Sequence, residues 1–154
     1  MKRIGSFLAA VVGSNLIFAA PAWTAELSGE GQVAGSKVVV RDLKRDAAAT
    51  MTLRIQVVNE AEQNFKTYGL LGAYYAIEKV SLIDTANKKK YLVVEDSAGF
   101  CICSEFKGEV EPGGAINLWA KFPAPPATVK LITVLVPGFE PIESVPITAA
   151  TPDP

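Results

Sequence analysis

The chain has 154 residues, 49% of them hydrophobic, a formal net charge of −1 and no histidine. That size suits one domain with its own core, and the acidic balance argues against nucleic acid as a partner. The missing imidazole removes the commonest general base, the Ser-His and Cys-His nucleophile pairs, and a favoured metal ligand.

Lys2 and Arg3 open a segment whose residues 4–18 are apolar apart from Gly5, Ser6, Gly13, Ser14 and Asn15. Ala20-Pro21-Ala22 then supplies the small-x-small pattern that signal peptidase reads. Residues 1–22 are therefore expected to be a cleavable signal peptide, with Trp23 as the new N-terminus; a cut after Ala25 is the alternative. A spanning helix needs about 20 apolar residues, and this stretch is shorter, interrupted and ended by Pro21. No later segment is long and apolar enough to span a bilayer, so no transmembrane segment is expected after cleavage. Removal of Lys2 and Arg3 from the 15 basic residues leaves 13 against 16 acidic ones, a net charge near −3 on about 132 residues. The expected location is exported, periplasmic or extracellular, where a disulfide persists.

Residues 23–35 are rich in Gly, Ser and Ala and read as a flexible lead-in. Val38-Val39-Val40 begins the first apolar run. In the next, Met51, Leu53, Ile55 and Val57 alternate with Thr52, Arg54 and Gln56, the pattern of a strand with one face in a core and one in water. Asn59 is placed to cap a helix, with Glu62 three residues on, but Gly69 and Gly72 weaken a helix there. Residues 60–76 therefore read as a long loop or short helical insert. Residues 77–83 and 91–94 flank the polar turn Asp84-Thr85-Ala86-Asn87-Lys88 and read as a β-hairpin. Asp96-Ser97-Ala98-Gly99 turns the chain into the short run Phe100-Cys101-Ile102-Cys103, and Glu111-Pro112-Gly113-Gly114 is another turn. Ile116, Leu118, Ala120 and Phe122 alternate with Asn117, Trp119 and Lys121 in the next strand. Residues 129–136 suit a central strand. Residues 142–147 suit a final edge strand, since Pro141 and Pro146 cannot donate to a ladder.

About seven strands with turns every 8–14 residues predict an all-β fold, an antiparallel two-sheet sandwich over residues 36–147, with a barrel as the alternative. Residues 148–154, rich in Pro, Thr and Ala, read as a disordered tail.

The strand end Val57-Val58-Asn59, the segment Asp96-x-x-Gly99-x-Cys101-x-Cys103-Ser104, and Phe122-Pro123-Ala124-Pro125-Pro126 with the Pro137-Gly138-Phe139 turn beyond it resemble small exported immunoglobulin-like sandwich domains of bacteria. Telokin-like modules are among these, and the likeness covers about two-thirds of the chain. It implies an immunoglobulin-like fold and an extracytoplasmic location, and carries over no catalytic residue. The antibody pattern of two distant cysteines bridging the sheets is absent, because both cysteines lie in one segment.

Cys101 and Cys103 point the same way in an extended strand, with Cα atoms about 6.6 Å apart. A disulfide tolerates up to about 6.8 Å, so a bridge is easier across a bend, and the neighbouring turn is placed to supply one. A local staple or buried thiol pair is the first reading; a redox dithiol, a copper site or an intermolecular bridge are the others. Lys88-Lys89-Lys90 reads as a solvated hairpin tip, and Glu95-Asp96 with Glu105, Glu109 and Glu111 as solvated turns lacking calcium-loop spacing. Phe65, Tyr68, Leu70, Leu71, Tyr74 and Tyr75 place much apolar area in one loop, and tyrosine suits contact surfaces. They are the tentative binding residues, against the alternative that the loop folds back to cap the sandwich. The expectation is an exported, non-enzymatic binding module for a protein or envelope component, with no catalytic residue, metal or cofactor. A thiol-redox or copper-binding protein acting through Cys101 and Cys103 is the alternative.

Overall fold

Period-two burial builds the frame. In the computed structural model, which describes residues 26–46, 49–67, 77–106 and 108–149, the chain is all-β, with ten strands and no helix among the described residues. They are β1 (Ser28–Glu30), β2 (Ser36–Arg45), β3 (Thr50–Asn59), β4 (Phe65–Lys66), β5 (Ser81–Asp84), β6 (Lys89–Leu92), β7 (Glu109–Val110), β8 (Ala115–Pro123), β9 (Leu131–Leu135) and β10 (Ile142–Pro146). Every ladder between them is antiparallel: a sheet ordered β1-β2-β3-β8, a second ordered β10-β9-β5-β6, and the small pair β4-β7. The signal-peptide expectation for residues 1–22 falls outside the described residues.

β3 keeps the expected faces, with Met51, Leu53, Ile55 and Val57 buried. They share one core with Leu118, Ala120 and Phe122 of β8 and with Leu82, Val134, Ile142 and Val145 of the second sheet. Two sheets around one apolar core are consistent with a β-sandwich. Burying each large side chain contributes about 1.5–3 kcal/mol. β9 is central and β10 is an edge strand, as the prolines indicate.

Backbone hydrogen bonds stitch the sheets together along both sides. On one, Glu140 N donates to Glu30 O at 2.8 Å and Thr148 N donates to Leu43 O at 2.9 Å. On the other, Val94 N donates to Lys121 O at 2.8 Å and Lys121 N to Ile102 O at 3.0 Å. The strand edges that would template further pairing are thereby covered along these stretches. Gly29 permits the first closure: a Cβ there would lie 2.4 Å from the Glu140 carbonyl oxygen.

Several expectations change. The lead-in is ordered over Ser28–Glu30, where β1 pairs with Lys37 to Val39 of β2. The tail starts later than expected, because Thr148 bonds to Leu43 and pairs with Lys44. Asn59 caps no helix. Its Oδ1 accepts from Ala61 N at 3.0 Å, a turn two residues on, while Nδ2 donates to Gln63 O at 2.8 Å and Val110 O at 2.7 Å. This fully buried amide ties the end of β3 to the loop and to β7.

Candidate binding site

The outer face of the first sheet is where charge, aromatic area and free donors converge. Residues alternate along β3 and β8, so the inward set Leu53, Ile55, Leu118 and Ala120 dictates an outward set of Arg54, Gln56, Asn117 and Trp119. The ladder then places Arg54 directly across from Trp119, and Gln56 across from Asn117.

β2 adds a third column by a bulge. Val40 pairs with Ile55 and Asp42 with Arg54, leaving Arg41 between them as the extra residue. Val40 and Leu43 are buried, so Arg41 and Asp42 both take the outer side. Asp42 Oδ1 accepts from Arg54 Nη1 at 3.2 Å. Arg41 instead donates to the neutral Gln56 Oε1, and it enters none of the ion pairs found among the described residues. Gln56 Nε2 passes the chain of bonds to Asn117 Oδ1 at 3.1 Å, so the relay ends on the exposed Asn117 Nδ2.

Between these groups lies a groove of about 240 Å³, lined by Arg41, Arg54, Ile55, Asn117, Leu118 and Trp119. Trp119 is 39% exposed, a large apolar surface to leave in water. Its backbone is held: Trp119 N donates to Ser104 Oγ at 2.8 Å, and Ser104 N donates to Trp119 O at 2.8 Å. Beside the groove, Lys121 Nζ meets Asp46 Oδ2 at 3.0 Å. Burial opposes ionisation of Asp46, but hydrogen bonds from Lys121 and Thr52 outweigh it and hold the carboxyl below its ordinary range.

Cys101 and Cys103 form a disulfide with Cα atoms 5.3 Å apart, so the segment contracts from the extended spacing and the local-staple reading describes it. Both cysteines are partly buried against the core, and Cys103 pairs with Ala120 of β8. The adjoining turn forms as expected: Asp96 Oδ1 accepts from Ala98 N at 2.8 Å and Phe100 N at 3.0 Å, with Gly99 at φ 84°. In this form neither sulfur is the thiolate that a soft metal or an exchange reaction needs.

The aromatic loop is divided by what is described. Phe65 is only 3% exposed and pairs with Val110, so its ring belongs to the core and is not presented to a partner. Tyr68, Leu70, Leu71, Tyr74 and Tyr75 lie outside the described residues. A larger recess of about 450 Å³ lies at Val33, Asn59 and Phe65, but the Asn59 amide there is wholly engaged by backbone. Lys88, Lys89 and Lys90 are exposed at the β5–β6 turn, which Asp84 organises by accepting from Asn87 N and Nδ2. Those bonds hold the Asp84 carboxyl below its ordinary range. Glu109 accepts from Asn64 Nδ2 at 2.8 Å and meets Lys66 at 3.5 Å; both lower its pKa, the Asn64 bond more.

No protein-family model, curated protein or solved structure matches the chain. Alternation alone turns Arg54, Gln56, Asn117 and Trp119 outward. The signals it lacked are the β3–β8 register and the bulge at Arg41.

Proposed function

We propose that the processed chain is an exported, non-enzymatic immunoglobulin-like sandwich that works by binding a component of the bacterial envelope or extracellular space. Its binding surface is the outer face of β2, β3 and β8. The observation that carries this reading is the groove in which Trp119, Arg41, Arg54 and Asn117 converge on a sheet whose β2 and β3 are hydrogen-bonded on both sides. Recognition commonly sits on side chains that a rigid scaffold holds in place, and exposed tryptophan and arginine are the residues that most often dominate binding energy.

Two experiments on the full chain test this. Fractionation of the producing cell should find the protein trimmed near Ala22 and outside the cytoplasm. Capture of envelope and medium components by the mature protein should be lost with Trp119→Ala and retained with Tyr68, Tyr74 and Tyr75 all changed to alanine. The reverse pattern would move recognition to the loop, and an untrimmed cytosolic product would end the export reading.

A further inference from the structure

We infer that the groove beside Trp119 takes an acidic saccharide, a sugar chain bearing carboxylates. This rests on the binding reading above and names its ligand class.

Four features point the same way. The Trp119 indole is a broad, partly exposed face on a sheet, suited to lie against the C–H face of a sugar ring. Arg41 donates to an amide oxygen, enters none of the ion pairs among the described residues and feels the Glu26 carboxylate only at longer range, so a ligand carboxylate would be its close ionic partner. Arg54 uses Nη1 on Asp42 and keeps its remaining donors. The relay Arg41–Gln56–Asn117 orients the Asn117 amide and ends on its Nδ2, a donor placed for a ring hydroxyl.

An acidic peptide fits less well. A peptide usually gains affinity by adding a strand to a free edge. Here the backbone of β3 is paired on both sides, and the β8 edge at Trp119 is engaged by Ser104. At Trp119 the face therefore offers side chains rather than a free strand edge.

The test uses the mature protein carrying Trp23→Phe, which leaves Trp119 as its sole tryptophan. Short oligogalacturonate and oligomannuronate, the methyl ester of the former, and poly-glutamate are titrated in turn, with Trp119 emission and calorimetry as readouts. At least one uronate should bind saturably and shift the emission. The ester should bind at least about tenfold more weakly, since a charge-assisted hydrogen bond is lost. Arg41→Gln should weaken the uronate by a similar factor, and Trp119→Ala, read by calorimetry, likewise, with unfolding midpoints held.

Equal binding of acid and ester would overturn the carboxylate. Poly-glutamate binding as tightly as the uronates would overturn the saccharide in favour of an acidic peptide. Binding of neither uronate would overturn the inference outright. If envelope capture still depends on Trp119 in that case, the binding face stands with another ligand; if capture ignores Trp119, both readings fall together.

Discussion

The two faces of the first sheet are built from the same strands, yet they are under different constraints. On the inner side, Leu53, Ile55, Leu118, Ala120 and Phe122 are at most 3% exposed, and each must fit its neighbours. On the outer side, Arg54, Asn117 and Trp119 are exposed and line one groove, and the fold would survive many other residues there. A packed interior punishes each lost methylene, whereas a solvated face hardly responds. An exposed tryptophan ringed by arginine and amide on the unconstrained side therefore calls for a functional explanation.

The largest effect should come from the inner side. Leu53→Ala or Phe122→Ala is expected to cost about 3–5 kcal/mol in denaturant unfolding, against less than about 1 kcal/mol for Trp119→Ala. Comparable costs would erase the contrast. Next comes Asn59→Ala, which strands the Gln63 and Val110 carbonyls and the Ala61 N–H. About 2–3 kcal/mol is expected, and a near-neutral result would mean those groups reach water.

The disulfide should matter less. Its ring spans a sequence separation of 2, so loop closure contributes at most about 1.5 kcal/mol. Ile102 N also bonds to Val94 O at 2.7 Å without it. Unfolding of the Cys101→Ser/Cys103→Ser double variant measures this, and a loss above about 3 kcal/mol would make the bridge a principal support.

Deletion of Arg41 sharpens the comparison most. Removing the extra residue leaves Val40 inward, Asp42 outward and Leu43 inward, a regular ladder. Stability should change by about 1 kcal/mol or less, while capture of the envelope component falls. Collapse of the fold would show that the bulge serves structure instead.

The smallest effect is acid dependence at Asp46. Its folded pKa is depressed, so its contribution is present above the ordinary aspartate range and lost as pH falls through the depressed value. Asp46→Asn should flatten that acid limb by less than about 1 kcal/mol, since the pair with Lys121 is partly exposed. An unchanged limb would assign it to other carboxylates such as Asp84.

What the sequence made legible follows the same division. Alternation placed Met51 through Val57 and Leu118 through Phe122 in the core because burial has a fixed period. The turns at Asp84 and Asp96 were legible because a carboxylate before a short polar run organises local backbone. β1 was not, since Ser28-Gly29-Glu30 has no apolar period and forms by pairing with β2. The role of Asn59 is not legible in the sequence, because its partners, Gln63 and Val110, are set by tertiary contact. The proposed binding face is half legible: alternation turns Arg54 and Trp119 outward, but only register sets them side by side and only the bulge brings Arg41 to them.

Hydroxyl-radical footprinting of the mature protein, alone and with its own envelope extract, tests the central claim most directly. Protection should appear at Trp119 and leave Phe100, Tyr68, Tyr74 and Tyr75 unchanged. Protection of the three tyrosines with Trp119 still reactive would contradict it.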